Sequence, residues 1–212
     1  MSIRILLADD HVLVRQGLRR VLETRAEFEV VAEASNGSEA IALAQSAAPD
    51  VVLLDVTMKE LNGLDALSQI RKLAPASKTI MLSMHADERY VVRALRDGAR
   101  GYVLKDCVEE ELVEALLAVH AGGEFLSATV RPYVERALKA GGSPADRHDL
   151  LTGRERHIYQ LLAEGNSNKD VANLLDLSLH TVETHRSRIM EKLGVRSAAE
   201  LVLSAVRRGI VS

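Results

Sequence analysis

The chain has 212 residues, of which 47% are hydrophobic, and this is enough apolar material for two compact domains. No apolar run is long enough to cross a bilayer, and the residues after Met1 lead directly into a strand pattern instead of a signal peptide. The single cysteine, Cys107, excludes a disulfide within the chain. We therefore expect a cytoplasmic protein with no membrane partner.

Charge is distributed unevenly along the chain. Residues 1–146 contain 17 Lys and Arg against 22 Asp and Glu, a net charge of −5, whereas residues 147–212 contain 10 against 8, a net charge of +2. The second part is therefore only mildly basic. Such a balance permits nucleic-acid binding but does not establish it, so the motifs have to decide.

Short strand patterns alternate with helical patterns over residues 1–122, which indicates a parallel sheet covered by helices on both faces. The sequence predicts five strands, near residues 3–8, 29–34, 51–55, 78–83 and 101–104. Apolar residues at helical spacing predict helices near residues 14–22, 37–47, 64–73, 87–96 and 108–120. We predict a five-stranded, doubly wound, flavodoxin-like α/β domain.

Polar side chains follow four of the five predicted strands. Asp9 and Asp10 come after the first strand, and Asp55, Ser83 and Lys105 close the third, fourth and fifth. Because the carboxyl ends of parallel strands meet at one edge of a sheet, we expect these side chains to converge. Three carboxylates, a hydroxyl and an ammonium are typical of a magnesium-assisted phosphoryl-acceptor site. The alternative is that each is an ordinary polar residue at a strand end.

A carboxylate attacks phosphorus poorly unless a cation offsets the repulsion between the negative charges, so this interpretation requires a divalent metal. Asp10, Asp55 and the backbone carbonyl of Thr57 are well placed to hold Mg²⁺, and Asp9 is expected to contribute through water or as a second ligand. The lysine after the fifth strand would then contact the phosphoryl oxygens, and the serine after the fourth would donate a hydrogen bond.

Residues 123–147 are predicted to form a linker with a short helix. Gly122 and Gly123 end the preceding helix, and Ser127 can cap a helix that runs to about Lys139. The segment 140–146 contains two glycines, a proline and no bulky apolar residue, which is typical of a flexible joint.

Strand signals disappear in residues 148–212, and four helical segments take their place. Their predicted N-caps are Thr152, Ser167, Ser178 and Ser197. The second and third segments, Asn168–Leu175 and Leu179–Leu193, are joined by three residues, which predicts a helix-turn-helix. The second domain is therefore expected to be all-α.

The third of these segments has the composition of a helix that reads DNA. Its apolar side contains Val182, Ile189, Met190 and Leu193, and its other faces are polar or basic. A helix that lies in the major groove needs this division, with short polar side chains on one stripe. An amphipathic helix with a solvated charged face is the simpler alternative.

The strand-end residues resemble a known family: Asp9, Asp10, Asp55, Ser83, Tyr102 and Lys105 match the receiver domain of two-component response regulators over about residues 1–121. The resemblance implies that Asp55 accepts a phosphoryl group from a sensor histidine kinase and that the site promotes its own dephosphorylation, with no other enzymatic activity. Ser83 and Tyr102 would form a switch pair in which Ser83 moves toward the phosphoryl group and Tyr102 turns inward. The family often has proline where this chain has Lys59, so the dephosphorylation rate is left open.

The second domain resembles the LuxR-type helix-turn-helix over about residues 148–211, on the motifs Leu151-Thr152-Gly153-Arg154-Glu155 and Lys192-Leu193-Gly194-Val195. With the receiver, this resemblance points to the NarL/FixJ family of transcriptional response regulators and implies binding to double-stranded promoter DNA. Residues that would face base edges are Glu183, Thr184 and Ser187. Residues that would contact phosphates are Lys169, Thr181, His185, Arg186, Arg188 and Lys192.

Family members often have lysine at position 183, so Glu183 would favour a cytosine amino donor or repel nearby phosphate. Because one monomer should bind DNA modestly, we expect a homodimer when the chain is phosphorylated. The resemblance suggests that the last helix, about Ala198–Arg207, supplies a dimer contact, although its apolar residues fit an internal core equally well. We further expect the unphosphorylated receiver to mask the recognition helix or the dimer face.

Other functions fit the sequence less well. A haloacid-dehalogenase-type phosphatase would normally have a second aspartate where this chain has Thr57. A flavin-binding domain would need a hydroxyl- and glycine-rich loop after the first strand, where this chain has Asp9-Asp10-His11-Val12. A redox role for Cys107, two residues from Lys105, is a third alternative, although a plain small residue there is favoured.

Overall fold

A computed structural model describes residues 2–84, 86–106, 109–139, 147–208 and 210–211. The chain divides into two compact units, Met1–Ser143 and Pro144–Ser212. The first unit contains two apolar clusters and the second contains one, so each unit has its own core. Cys107 and the predicted joint at residues 140–146 lie outside the described residues.

The first unit alternates strands and helices, as the sequence predicts. Its strands are β1 (Ile3–Ala8), β2 (Phe28–Ala34), β3 (Val51–Asp55), β4 (Lys78–Ser83), β5 (Gly101–Leu104) and β6 (Phe125–Leu126). Its helices are α1 (Val12–Glu23), α2 (Gly37–Ala47), α3 (Gly63–Leu73), α4 (Glu88–Asp97), α5 (Glu109–His120) and α6 (Arg131–Lys139).

The strands form one parallel sheet in the order β2-β1-β3-β4-β5-β6. The order reverses between β1 and β3, which confirms the doubly wound fold. The predicted number of five strands is wrong by one, because β6 pairs with β5 through Gly101↔Phe125 and Tyr102↔Leu126. A strand of two residues is too short to show the alternation by which strands are recognised in a sequence.

Helices cover both faces of the sheet, and this explains why β3 is buried along its whole length. Val52 and Leu54 point into a cluster completed by α2, α3 and α4. Val51 and Leu53 point into a second cluster, which α1 and α5 complete. Successive strand residues face opposite sides, so a strand covered twice needs an unbroken apolar run.

The segment after α5 adds to the first unit. The backbone N–H of Ser127 donates to the carbonyl of Tyr102 at 3.0 Å, and Val130 is fully buried in the cluster that contains Tyr102. An ion pair of 3.5 Å joins Arg136 of α6 to Glu88 of α4. The helix in the predicted linker therefore packs on the same unit as the sheet.

The second unit is helical throughout its described part. A 3₁₀ turn at Arg147–Leu150 precedes α7 (Gly153–Ala163), α8 (Asn168–Leu175), α9 (Leu179–Leu193) and α10 (Ala198–Arg207). The four predicted N-caps are confirmed, since each side chain accepts a backbone N–H of the first turn: Thr152, Ser167, Ser178 and Ser197. Within the described ranges, none of the helices has both the length and the hydropathy needed to span a bilayer.

Candidate functional site

Three acidic residues meet at the carboxyl edge of the sheet. Asp9 and Asp10 directly follow β1, and Asp55 is the last residue of the neighbouring strand β3. One ligand atom from each of these residues and from His11 lies within 4.8 Å of the others. Asp9 and Asp55 are buried, whereas His11 is exposed. The structure thus brings together the three carboxylates that the sequence places at strand ends.

Lys105 lies between two of these carboxylates. Its Nζ is 2.7 Å from Oδ2 of Asp9 and 2.8 Å from Oδ2 of Asp55. The lysine side chain is only 3% exposed, and the two carboxylates are 1% exposed. A single buried ammonium therefore offsets the repulsion between two buried carboxylates.

The environment of Asp55 makes it a weaker acid than an ordinary aspartate. Burial raises the pKa of Asp55 to about 6, and the ion pair with Lys105 opposes this effect. The negative charge of Asp9 raises the pKa as well, whereas the backbone N–H of Thr57, 3.3 Å from Oδ1, lowers it. A divalent cation beside Asp55 would favour its charged form, because opposite charges nearby stabilise a carboxylate.

The donor set fits a hard divalent cation such as Mg²⁺, which prefers carboxylate oxygens. Oδ1 of Asp10 is buried, and apart from Nδ1 of His11 at 2.9 Å it has no polar partner among the described residues. Nδ1 of His11 also lies 3.3 Å from Oδ1 of Asp9. The sequence prediction missed His11, although its place directly after Asp10 was the available signal. Since imidazole suits transition metals better than magnesium, the oxygens are the candidate ligands.

The loop that follows Asp55 packs closely against this residue. Thr57 is exposed, and its N–H points at Asp55 as described above. The N–H of Gly63, at the start of α3, donates to the carbonyl of Val56 at 3.0 Å. A Cβ added to Gly63 would lie 1.8 Å from the carbonyl oxygen of Asp55. Glycine is therefore required at this position for the first turn of α3 to approach the backbone of Asp55.

The two predicted switch residues lie on the adjacent strands β4 and β5, with Tyr102 opposite Met81 in the register. Ser83 ends β4 and is 5% exposed, and Tyr102 in β5 is fully buried. Burial raises the pKa of the Tyr102 hydroxyl, and the side chain of Ser83 partly opposes this. The ring lies in the cluster that contains Met81 and Val130. The side chain of Tyr102 therefore lies in the core of the first unit.

In the second unit, α8 and α9 form the helix-turn-helix. Asp176 ends α8 with a left-handed φ of 52°, and Ser178 caps α9 two residues later. Val182, Ile189 and Leu193 of α9 are buried in the core of the unit, which leaves the polar side of the helix outside. The division between an apolar side and a polar side is the one predicted for a DNA-reading helix.

The nine predicted DNA-contact residues differ in exposure. The exposed ones are Lys169, Glu183, Ser187 and Arg188, and the partly buried ones are Thr181, Thr184, His185, Arg186 and Lys192. Oγ1 of Thr184 donates to the carbonyl of His180 at 2.9 Å, and Oγ of Ser187 donates to that of Glu183 at 3.1 Å. Because each hydroxyl proton is already donated to a backbone carbonyl of the helix, the hydroxyl can only accept a hydrogen bond from a ligand.

Lys192 has a partner inside the protein. Its Nζ lies 2.9 Å from Oε1 and 2.6 Å from Oε2 of Glu155, at the start of α7. The carboxylate of Glu155 also accepts the N–H of Thr152 and so completes a capping box. A second cation of α9, Arg186, donates to Asn168 of α8 at 3.3 Å. These contacts join three helices and cannot be read from spacing along one of them.

Comparison with known families separates the same two regions. Residues 5–117 match the family described as response regulator receiver domain, and residues 149–205 match the family described as bacterial regulatory proteins, luxR family. Together the two matches cover most of the chain. They place the sheet and the acidic cluster in the first family and the helix-turn-helix in the second.

Individual proteins resemble the chain over nearly its full length. It is 39% identical over 211 residues to the transcriptional regulatory protein MctR of Rhizobium johnstonii, covering 100% of this chain and 96% of MctR. It is 38% identical over 197 residues to the nitrate/nitrite response regulator protein NarL of Escherichia coli strain K12, covering 92% of this chain and 91% of NarL. A solved structure of two RcsB dimers bound to two parallel DNAs has a TM-score of 0.61 and 25% identity, and the match covers 100% of both chains.

A doubly wound sheet with three clustered carboxylates, followed in the same chain by a helix-turn-helix, defines a DNA-binding response regulator. The similarity to NarL extends over both units, so the family can be specified further. The chain belongs to the NarL/FixJ family of two-component response regulators, with a receiver domain and a LuxR-type DNA-binding domain.

Proposed function

We propose that this chain is a transcription factor that a sensor histidine kinase controls through phosphorylation of Asp55. In this proposal residues 1–122 receive the phosphoryl group, residues 148–212 bind promoter DNA, and residues 123–147 link them. The observation that carries the proposal is the buried ammonium of Lys105 between Asp9 and Asp55, at 2.7 and 2.8 Å. A simple structural ion pair would need one carboxylate, whereas an acceptor site needs the second one for a cation.

Asp9, Asp10, Asp55 and the backbone carbonyl of Thr57 are the groups we assign to Mg²⁺. When bound, the cation neutralises negative charge between the acceptor and the phosphoryl oxygens. The buried Oδ1 of Asp10 supports this assignment, because it has no hydrogen-bond partner among the described residues and a buried carboxylate oxygen without one carries a desolvation cost. The carboxylates would contribute ligands of the type that Mg²⁺ prefers.

The chemical step is a displacement at phosphorus. An oxygen of Asp55 forms the new O–P bond with its own electron pair, and the P–N bond to the kinase histidine breaks. The imidazole leaves with that electron pair and is neutral because its other nitrogen carries a proton. Lys105 is placed to shift its ammonium from the carboxylates toward the phosphoryl oxygens, and Ser83 to donate its hydroxyl proton. Attack by water on the acyl phosphate would return the carboxylate.

Phosphorylation is then a local change of charge next to a two-state element. Ser83 would be drawn to the phosphoryl group, and Tyr102 would be held in its inward position. Tyr102 and Val130 share one core cluster, so a change at the ring reaches the surface near α4 and α6. We propose that this altered surface promotes dimerisation and frees the recognition helix α9 to bind double-stranded promoter DNA.

The exposed residues of α8 and α9 are the first candidates for DNA contact. Glu183 and Ser187 would read base edges, and Lys169 and Arg188 would contact phosphates. The less exposed residues are also proposed to contact DNA, namely Thr181, Thr184, His185 and Arg186. Lys192 would contact DNA only if its ion pair with Glu155 breaks. The DNA-bound RcsB dimers to which this chain is similar support a dimeric complex with DNA.

Intact-protein mass spectrometry tests the acceptor. Wild type and Asp55→Ala are incubated with acetyl phosphate and Mg²⁺, and we expect wild type, but not Asp55→Ala, to gain the mass of one phosphoryl group. Asp106→Ala is the control, because it removes an exposed carboxylate near Lys105 without touching the cluster. An unchanged mass of wild type, or equal gains in wild type and Asp55→Ala, contradicts the proposal.

Release of α9 is tested by DNA affinity. The full chain is titrated with duplex DNA before and after phosphorylation and is compared with residues 148–212 alone, which contain a complete apolar core. We expect the unphosphorylated full chain to bind most weakly. Equal affinity in all three samples would rule out masking while leaving the acceptor chemistry intact.

A further inference from the structure

Arg15, in the first turn of α1, reaches the loop that carries the metal-site carboxylates. Its Nη1 donates to the backbone carbonyl of Asp9 at 2.6 Å, and its Nε donates to Oε2 of Glu33 in β2 at 3.0 Å. The arginine side chain is only 15% exposed. One guanidinium thus ties the loop after β1 to α1 and to the edge strand of the sheet.

The carbonyl held by Arg15 belongs to the peptide that joins Asp9 to Asp10. The orientation of this peptide determines where the two consecutive side chains point, since it fixes ψ of Asp9 and φ of Asp10. The N–H of Asp9 donates to the carbonyl of Ala34 at 3.1 Å, so β2 holds the other side of Asp9. Arg15 therefore acts on the one peptide through which both carboxylates are directed.

The orientation of the Asp10 side chain depends on the backbone more than that of Asp9 does. Oδ1 of Asp9 accepts the N–H of His11 at 2.8 Å, and Oδ2 of Asp9 forms an ion pair with the ammonium of Lys105 at 2.7 Å, so two contacts orient its side chain. Oδ1 of Asp10 has no hydrogen-bond partner among the described residues, and Nδ1 of His11 at 2.9 Å is its one ion-pair contact there. A carboxylate with so few contacts keeps its direction through the peptide before it.

The carboxylate of Glu33 pairs with a second arginine as well as with Arg15. Nη1 of Arg19 lies 2.5 Å from Oε1 of Glu33, so each oxygen of the carboxylate meets a different guanidinium. Partial burial acts to raise the pKa of Glu33, but the hydrogen bonds from Arg19 and Arg15 outweigh it and the pKa is lowered. Arg19 also pairs with Glu23 at 2.7 Å, within α1 itself. It shares the partner of Arg15 without contacting the metal-site loop.

We propose that Arg15 is a positioning residue for the divalent-cation site, which it preorganises by fixing the Asp9–Asp10 peptide, with Glu33 as its orienting partner. This inference rests on the proposed metal site. Residues that orient ligands without contacting the metal change metal affinity by about 10- to 100-fold when they are removed. Arginine is suited to the task because its rigid, planar group serves two acceptors in different directions, whereas a lysine offers one point charge.

Isothermal titration of the full-length protein with Mg²⁺, and with Mn²⁺ as a second probe, tests the inference without any phosphoryl transfer. We expect Arg15→Gln to bind each ion about 10-fold more weakly than wild type. Arg15→Lys should be weakened nearly as much, because it keeps the charge but loses the double contact. Arg19→Gln is the matched control, and its metal affinity should stay within about 2-fold of wild type.

Amide hydrogen exchange in the metal-free protein supplies a second measurement. The N–H of His11 should exchange faster in Arg15→Gln than in Arg19→Gln, because only the first variant loosens the peptide before it. Equal metal affinities of Arg15→Gln and Arg19→Gln overturn the inference, and so does full recovery in Arg15→Lys, which would assign the effect to charge alone. If wild type binds neither ion, or if Asp10→Ala binds as wild type does, the proposed metal site itself is wrong.

Discussion

The ammonium of Lys192, in the last turn of the recognition helix, lies 2.6 Å from Oε2 of Glu155 in the first turn of α7. The carboxylate is 4% exposed and the lysine side chain 33%. Because Glu155 also caps α7 through Thr152, the ion pair fixes the end of α9 relative to the start of α7. Lys192 is therefore expected to orient the recognition helix more than it contacts DNA.

The first prediction separates these two roles of Lys192. Lys192→Met should destabilise the second unit by about 2 kcal/mol, because it leaves a buried carboxylate without its cation. Arg188→Met, which changes an exposed residue on the same helix, should cost little stability. Hydrogen exchange of amides in α7 and α9 measures stability in this unit alone.

The salt dependence of duplex DNA binding completes this test. Arg188→Met should reduce the slope of log affinity against log salt concentration by about one, as expected for a lost phosphate contact. Lys192→Met should leave the slope unchanged. If the slope falls by the same amount in both variants, Lys192 contacts a DNA phosphate as Arg188 does.

The second prediction concerns pH. Burial acts to raise the pKa of Glu155, but the hydrogen bonds from Lys192 and Thr152 outweigh it, so the pKa lies below its ordinary value of 4.5. A carboxyl group whose pKa is lowered by folding stabilises the folded state at pH values above its unfolded pKa. This contribution is lost as the pH falls through the folded pKa, where the carboxylate is protonated.

The free energy of unfolding of wild type should therefore exceed that of Glu155→Gln most at neutral pH, by about 1.5–3 kcal/mol. The difference should shrink as the pH falls below 4.5, the ordinary pKa of the group. Urea unfolding monitored in α7 at several pH values measures it. A difference that stays constant down to acidic pH would mean that the capping hydrogen bonds, and not the charge of Glu155, provide the stabilisation.

Much of the receiver site follows from the sequence because the strands are short and buried. An apolar run such as the one before Asp55 has a visible end, and parallel strands bring such ends to one edge of the sheet. Asp9, Asp55 and Lys105 meet there for this reason. The number of residues between them does not predict this contact. The order of the strands in the sheet does.

The remaining features depend on contacts between elements that no local pattern specifies. Strand β6 has two residues and shows no alternation, so its pairing with β5 is decided by packing. The partner of Lys192 is 37 residues away, at Glu155, and the same spacing on α9 also fits a DNA contact. The helical pattern of α1 alone places Arg15 on the solvent side, and its contact with Glu33 in β2 appears only in the folded structure.

The third prediction concerns a buried ion pair between α3 and α4. Nη2 of Arg93 lies 2.5 Å from Oδ1 of Asp65, which is 3% exposed, and Asp65 also accepts the side-chain amide of Asn62. Asp65→Ala should cost about 3 kcal/mol, because the arginine, itself 15% exposed, would be left with Asp97 at 3.4 Å.

An exposed pair of the same unit provides the control. Arg100 and Glu124 lie 2.9 Å apart with side chains that are 53% and 64% exposed, so Glu124→Ala should cost less than about 1 kcal/mol. Urea denaturation of both variants measures the difference. Similar losses in the two would show that burial of the Asp65 pair adds nothing to its contribution.

The fourth prediction uses two glycines of the receiver with opposite surroundings. A Cβ at Gly63 would lie 1.8 Å from the carbonyl oxygen and 2.8 Å from the carbonyl carbon of Asp55, and backbone atoms yield little. Gly63→Ala should therefore destabilise the unit by about 3 kcal/mol and should displace Asp55, which lowers the rate of phosphoryl gain from acetyl phosphate.

At Gly17, in α1, a Cβ would meet nothing within 4 Å, and the residue is exposed. Gly17→Ala should stabilise the protein by about 0.5–1 kcal/mol, because alanine loses less backbone entropy than glycine in a helix. Its phosphorylation rate should equal that of wild type. Thermal unfolding and intact mass measured on both variants compare a clash at the acceptor with a helix effect far from it. If Gly63→Ala is as stable and as readily phosphorylated as wild type, the contact between α3 and the acceptor strand does not constrain Asp55.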